Sequence, residues 1–174
     1  MGAASWHQWG YRTFYIALAL MIVGYRLLPL GPAQGPFVGP DLLLALTFAW
    51  LLRQPAVVPI GSIVIVFLTA DFLLQRPPGL WTVLVLLVTE WLRSRRVATT
   101  EYNFLVEWAW VTGAIFVVIV GERIALWLLV APQSSLGLSL MHGLTTAAIY
   151  PIIVLVSNYG LGLRKLSPID AEQA

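Results

Sequence analysis

Cysteine is absent from this 174-residue chain, and charged residues make up only 10% of it. The absence of cysteine excludes disulfides, thiolate metal ligands and a cysteine nucleophile. The shortage of charge is more informative, because charged side chains make up about a quarter of an ordinary soluble domain. Together with the 59% of residues that are apolar, it predicts an integral membrane protein.

Long polar connections are also lacking. A helix rises about 1.5 Å per residue, so a hydrocarbon core of about 30 Å needs roughly 20 apolar residues, or fewer where the bilayer thins. We therefore predict an all-α, polytopic bundle of six transmembrane helices, forming one integral membrane domain over residues 1–174. The predicted helices cover residues 11–30, 41–52, 56–75, 79–92, 104–130 and 136–159.

Basic residues are distributed unevenly between the two ends of these helices. With the N-terminus inside, the cytoplasmic side receives Arg12, Arg53, Arg93, Arg95, Arg96, Arg164 and Lys165. The outer side receives Arg26 and Arg76, and Arg123 lies within a span. Because Lys and Arg collect in cytoplasmic loops, we predict that both termini are cytoplasmic and that Arg93–Arg96 is the principal cytoplasmic loop. The tryptophans fall at or near helix ends, as an aromatic belt would.

Several charged residues are predicted in the outer half of the membrane, and they balance in sign. The set comprises Asp41, Asp71, Arg76, Glu122 and Arg123, with Arg26 at a similar depth. A lone ionised side chain at the centre of a spanning helix costs roughly 3 kcal/mol, so such groups tend to be paired or functional. We favour an internal ion-pair network, with a substrate or proton site and a partner-docking surface as alternatives. Asp41, which follows Pro40, is also a candidate helix N-cap.

The choice between an internal ion pair and a functional charge is clearest in the stretch "TADFLLQRPPGLW" (69–81). Asp71 lies in an apolar run and is followed by Arg76 and two prolines. We expect Asp71 to close an internal ion pair, with Arg76 or Arg123 as its partner, and the alternative is a groove used by another protein. At the inner side, Glu90, Glu101 and Glu107 are expected to form interfacial salt bridges with the nearby arginines.

Catalytic motifs are missing as well. Ser139 and His142 lie one turn apart on one helix face, but no Gly-x-Ser-x-Gly elbow or oxyanion-hole loop accompanies them. Two widely separated histidines and scattered acids are too few for a metal site. A phosphate-binding glycine loop and a nucleic-acid motif are also lacking. We predict a non-enzymatic protein with no cofactor, no metal and no nucleic-acid partner.

Two segments carry a resemblance to a known family. They are "PDLLLALTFAW" (40–50) and "FLTADFLLQRPPGLWTVLVLL" (67–87). Over about residues 11–165 the chain resembles MreD, a multi-pass bacterial rod-shape-determining protein family. Pro40 and Asp41 stand at the family's start of the second span, and Asp71, Pro78 and Gly79 at its aspartate and following turn. The chain departs from the common pattern at Thr69-Ala70 and at Glu90-Trp91, which suggests a divergent branch.

The resemblance implies a non-catalytic scaffold of the cell-wall elongation machinery in the bacterial inner membrane. Members of that family bind an MreC-type protein and help to couple MreB to the RodA glycosyltransferase and its transpeptidase partner. They are also similar in design to the substrate-binding component of energy-coupling-factor transporters. The alternative function is therefore that of a small-solute-binding transporter component, in which Asp71, Glu122 and Arg123 line an outward cavity. Membrane lipid is the remaining expected partner, attracted by the basic residues of the inner side.

Overall fold

The computed structural model describes residues 3–28, 39–100 and 103–160, with side chains over 8–28, 39–95 and 103–160. The described residues form six helices, in the predicted order, and contain no strand. They are α1 (Ala3–Leu27), α2 (Leu42–Arg53), α3 (Ile60–Leu73), α4 (Leu80–Thr100), α5 (Phe104–Leu128) and α6 (Leu136–Gly160). The all-helical prediction is confirmed. Predictions that concern Glu101, Arg164, Lys165 and the side chain of Arg96 lie outside the described residues.

The two largest boundary differences, of eight residues each, are the start of α1, which is predicted at residue 11 and lies at Ala3, and the end of α4. The prediction ends this helix at residue 92, but α4 continues to Thr100. The placement of Arg93–Arg96 in a loop is therefore wrong: these residues belong to the helix. No proline or glycine interrupts residues 92–100, and arginine is a good helix former, so nothing local ends the helix there. Conversely, α3 starts at Ile60 because Pro55 and Pro59 hold the preceding residues in a turn.

The helices run antiparallel, so that the described bundle has two distinct ends. Arg12 near the start of α1 donates to the Ala56 carbonyl after α2, and Arg53 at the end of α2 meets Glu107 in the first turn of α5. We call this the Arg53 end. At the opposite end, Arg26 contacts Asp41, and this we call the Asp41 end. Alternating helix direction thus brings residues far apart in the sequence into two groups.

The 12-residue α2 is the most enclosed helix. Every residue from Leu43 to Arg53 is buried, and α2 packs against α1, α4 and α6. A helix of this length spans only about 18 Å, and its burial among neighbours removes the need to cross a bilayer unaided. Trp50, Phe48 and the α1 residue Tyr15 are fully buried around it.

Two of the described helices, α5 and α6, are long and apolar enough to cross a membrane. Both keep large apolar side chains exposed along their length, for example Val117 and Ile124 on α5 and Leu144 and Ile152 on α6. Exposed apolar surface of this extent is typical of a membrane or protein contact. The helices α2 and α3 are apolar but shorter.

The two long helices also pack closely against each other. A Cβ atom at Gly143 of α6 would lie 2.9 Å from the Phe116 ring and 3.0 Å from Ile119 Cδ1 of α5. Small residues permit this kind of close helix approach, which is common between helices in membranes. Gly143 therefore sets the distance between α5 and α6 at this point.

Candidate functional site

The most deeply buried charges lie together at the Arg53 end. Arg53 Nη1 is 3.1 Å from Glu107 Oε1, and the Tyr150 hydroxyl donates to the same oxygen at 2.7 Å. The side chains of Arg53 and Glu107 are 5% and 1% exposed, so this ion pair is removed from solvent. Three helices, α2, α5 and α6, each contribute one member. We call Arg53, Glu107 and Tyr150 the buried triad.

Sequence reasoning found part of this triad. Glu107 was expected to pair with an inner arginine, and it does, but in the core and not at the interface. The reason is the short α2, which ends inside the bundle and carries Arg53 with it. Tyr150 was missed, because nothing in the sequence distinguishes it from Tyr159, the other tyrosine of α6. An isolated buried ion pair is costly, and additional hydrogen bonds such as that from Tyr150 reduce the cost.

Further polar contacts continue along α2. Trp50 Nε1 donates to Ser157 Oγ at 3.1 Å, and the hydroxyls of Tyr15 and Thr47 are hydrogen-bonded at 2.9 Å. These groups are buried. Hydrogen bonds between buried polar groups avoid the cost of burying a polar group without a partner, and here they fix the rotation of α2 against α1 and α6.

Asp41 organises the opposite end. Its Oδ1 accepts from Leu44 N at 3.1 Å, so it is the N-cap of α2, as expected from its place after Pro40. The same oxygen is 3.5 Å from Arg26 Nη2, and Oδ2 is 3.9 Å from His142 Nε2. The cap and the ion pair were weighed as alternatives, and the structure contains both. Arg26 also donates to the Pro40 carbonyl at 2.9 Å.

Asp71 is fully buried, but it forms no ion pair with Arg76 or Arg123 within the described residues. Its Oδ2 accepts from Gly79 N at 3.0 Å, Thr82 N at 3.2 Å and Thr82 Oγ1 at 2.8 Å. The ion-pair prediction is wrong, and so is the alternative of a groove-facing aspartate. The physical reason is that the free N–H groups and positive dipole end of α4 already provide a partner for the carboxylate.

The turn between α3 and α4 makes this contact possible. Gly79 has φ +85°, a conformation that L side chains rarely adopt, and Pro78 before it has no N–H to donate. This geometry brings the start of α4 back over the end of α3. Arg76 lies in the same turn, and its guanidinium group is 4.8 Å from the centre of the Trp81 ring instead of on a carboxylate. A cation over a tryptophan face is favourable.

The remaining charges of the predicted outer set, Glu122 and Arg123, lie near the end of α5. Arg123 Nη1 donates to Ser134 O at 3.0 Å and to Ser139 Oγ at 2.7 Å, and thereby closes the α5–α6 connection. His142 contacts the Gly39 carbonyl at 3.0 Å, so Ser139 and His142 engage different partners. Glu122 is within electrostatic range of Arg76 and Arg123 but forms no ion pair within 4 Å in the described part of the chain.

A cavity of about 630 Å³ opens at the end of α5. Its lining comprises Trp127, Leu128, Val130, Ala131 and Gln133. Neither Asp71, Glu122 nor Arg123 contributes to it, although the solute-binding hypothesis requires these charges to line an outer cavity. Across residues 8–28, 39–95 and 103–160, His, Asp and Glu side chains form no group of three or more that could hold a metal ion.

Comparisons with known proteins do not assign the chain to a family. No protein-family model, no curated protein and no solved structure matches it.

Proposed function

We propose that the protein is a non-catalytic scaffold of the MreD type in the bacterial inner membrane. It is a multi-pass protein with six spans and both termini in the cytoplasm, and it acts by binding other membrane proteins. One observation carries the proposal: two of the three charges expected to line a solute cavity, Asp71 and Arg123, are used to hold the bundle together, as is Asp41. Asp41 and Asp71 cap helices, and Arg123 closes a connection between helices.

The apolar surface supports the same function. The exposed sides of α5 and α6 carry large apolar residues from end to end, and both helices are long enough to span. A protein with short connections can bind others chiefly through such helix surfaces and their rims, by close packing and a few polar contacts. The antiparallel arrangement gathers Arg12, Arg53 and Arg93 at one end, which is the distribution expected of a cytoplasmic face.

The proposed partners follow from the resemblance in residues 40–50 and 67–87. They are an MreC-type protein, bound directly, and MreB with the RodA glycosyltransferase and its transpeptidase partner, bound directly or through it. The solute-binding alternative receives less support, because Asp71 and Arg123 are engaged in hydrogen bonds within the bundle.

Co-purification with a tagged MreC-type protein tests the scaffold. We expect a stable complex in mild detergent and in lipid nanodiscs, and no complex with an unrelated membrane protein of similar size. Bulky substitutions then locate the interface: Val117→Trp on α5 and Leu144→Trp on α6 alter exposed positions. Loss of the complex with one of them, in protein that still unfolds like the wild type, identifies the face. Absence of a complex in both detergent and lipid would refute the scaffold, and saturable binding of a small solute would favour the transporter.

A further inference from the structure

The turn between α2 and α3, residues 54–59, is held by arginines from two other helices. Arg12 Nε of α1 donates to the Ala56 carbonyl at 2.8 Å, and Arg93 Nη2 of α4 donates to the Val58 carbonyl at 2.9 Å. The two accepting residues are only two positions apart. Both guanidinium groups are therefore anchored on one turn at the Arg53 end, although Arg12 and Arg93 are 81 positions apart in the sequence.

These bonds leave nitrogen donors on both groups. Arg12 uses Nε, and no hydrogen bond from its terminal nitrogens to another described residue is present. Arg93 uses Nη2, and its Nε is buried 3.4 Å from Glu90 Oε1 without a hydrogen bond, so Nη1, which bonds to no other described residue, is the nitrogen left for a ligand. The carbonyl bonds hold each planar guanidinium in place, so less conformational entropy is lost when a further acceptor binds. The paired N–H donors of a planar guanidinium group match the geometry of phosphate oxygens, which they can bind through two parallel hydrogen bonds.

The charge at this end is unbalanced in favour of an anion. Glu107 forms an ion pair with Arg53 in the buried triad, and Glu90 forms one with Arg93. In the described residues no carboxylate lies within 4 Å of Arg12, whose guanidinium instead sits 5.3 Å from the centre of the Trp9 ring. Because the tryptophan ring contacts only the face of the guanidinium group, the N–H groups at the edge of that group can still bind an anion.

Tryptophans place these arginines at a defined depth. Trp9 is 61% exposed, and Trp91 and Trp110 are in contact with each other, with ring centres 5.3 Å apart. Amphipathic indole rings concentrate at the level of the lipid headgroups. Given the proposed membrane placement, Arg12 and Arg93 lie at the depth where the phosphates of the cytoplasmic leaflet are found.

We propose that Arg12 and Arg93, held on the α2–α3 turn, form a binding site for the headgroup phosphate of an anionic phospholipid. The inference rests on the proposed membrane function, but it needs no partner protein. The ligand is the lipid headgroup and not free phosphate, because the site lies at the rim of apolar helices that the acyl chains of a lipid can cover.

Native mass spectrometry of the full chain tests the site. Detergent-solubilised protein is mixed with equal amounts of phosphatidylglycerol and phosphatidylcholine, and the ratio of the two bound lipids is measured. Each arginine near the surface contributes about 1 kcal/mol, so removing one is expected to lower the preference for phosphatidylglycerol about fivefold. Arg12→Gln and Arg93→Gln each produce this loss, and the double variant approaches equal binding.

The chain offers a matched control in Arg76, which also lies on a tryptophan ring but at the Asp41 end. Arg76→Gln leaves the preference unchanged; an equal loss with this variant would overturn the site. Arg12→Lys keeps the charge but lacks the guanidinium fork, so it loses part of the preference. Full retention by Arg12→Lys would show diffuse attraction only, and this test stands even if the double glutamine variant fails to fold.

Two further experiments distinguish a lipid site from a free-anion site, and the lipid site from the scaffold function. Inorganic phosphate at the same concentration as the lipid should leave the lipid ratio unchanged, because it lacks the acyl chains that hold a lipid at the helix rim, and abolition of the preference at that concentration would mean a free-anion site and refute the headgroup assignment. Protein that co-purifies with the MreC-type partner but shows no preference for phosphatidylglycerol refutes the lipid site and leaves the scaffold standing. Protein that shows the preference but never binds the partner refutes the scaffold alone.

Discussion

Removing Glu107 is the most informative single perturbation of the fold. Glu107→Leu leaves the guanidinium of Arg53, whose side chain is 5% exposed, in the core without its carboxylate, and the Tyr150 hydroxyl without its acceptor. Breaking a buried ion pair by deleting one partner costs about 3–5 kcal/mol. For a chain of this size the cost corresponds to a fall in melting temperature of roughly 6–20 °C. The surface pair Glu90–Arg93 provides the control, since Glu90 is 46% exposed and Glu90→Leu is expected to cost about 1 kcal/mol or less.

The measurement is thermal unfolding of the full chain in detergent, followed by tryptophan fluorescence, with unfolding in mixed micelles as an independent readout. The triple variant Arg53→Met, Glu107→Leu, Tyr150→Phe completes the experiment. Because it removes the polar groups of all three triad side chains at once, it should recover most of the stability lost by Glu107→Leu alone. Equal small losses for Glu107→Leu and Glu90→Leu, or losses that simply add in the triple variant, would refute the buried triad as a coupled unit.

Three other outcomes follow from the structure. Asp71→Ala should destabilise the protein by about 1–2 kcal/mol, the cost of losing a helix cap, and Asp71→Asn by less, because its amide oxygen still accepts; thermal unfolding measures both. Since the chain lacks cysteine, the single variants Ser94→Cys and Ser135→Cys report topology directly, and an impermeant maleimide added outside intact cells should label only the second. Gly143→Val should cost about 1–3 kcal/mol through overpacking against α5, whereas Gly113→Val, with open space around it, should cost less.

A specific result would contradict each of these three predictions. If neutralising Arg76 recovered the stability lost by Asp71→Asn, the two side chains would be energetically coupled as an ion pair, which would contradict the structure. Labelling at position 94 from outside would mean that the topology is the reverse of the one proposed. An active periplasmic reporter fused after residue 97 would mean the same. Equal losses at Gly143 and Gly113 would mean that the close contact with Phe116 does not limit the approach of α5 and α6.

The helix count was readable from the sequence because it depends on local chemistry. Apolar runs are bounded by Gln54-Pro55 and by Pro77-Pro78, which interrupt helices regardless of what surrounds them. One of the two large boundary differences, the extension of α4 through Arg93, occurs where basic residues suggest a loop although they are good helix formers. The Asp41 cap was also predictable, since a cap involves only residues a few positions apart.

The roles of the charges in the apolar helices and their connections were decided by tertiary structure. Sequence position places Asp71 at the same depth as several basic residues, but depth does not determine which group a carboxylate faces. The turn at Gly79 brings the N–H groups of α4 onto Asp71, and Arg76 is drawn to Trp81 instead. Likewise, the burial of Arg53 with Glu107 depends on where α2 ends within the bundle.

The sequence by itself determined the helical segments, their order and the collection of basic residues at one end, because hydropathy, proline and charge act over a single turn or a single span. Only the tertiary structure decided which polar groups meet. Such contacts join helices that are distant in sequence, and their geometry depends on how every helix is rotated against its neighbours. The buried triad and the Arg12–Arg93 site therefore emerge only once the six helices are packed.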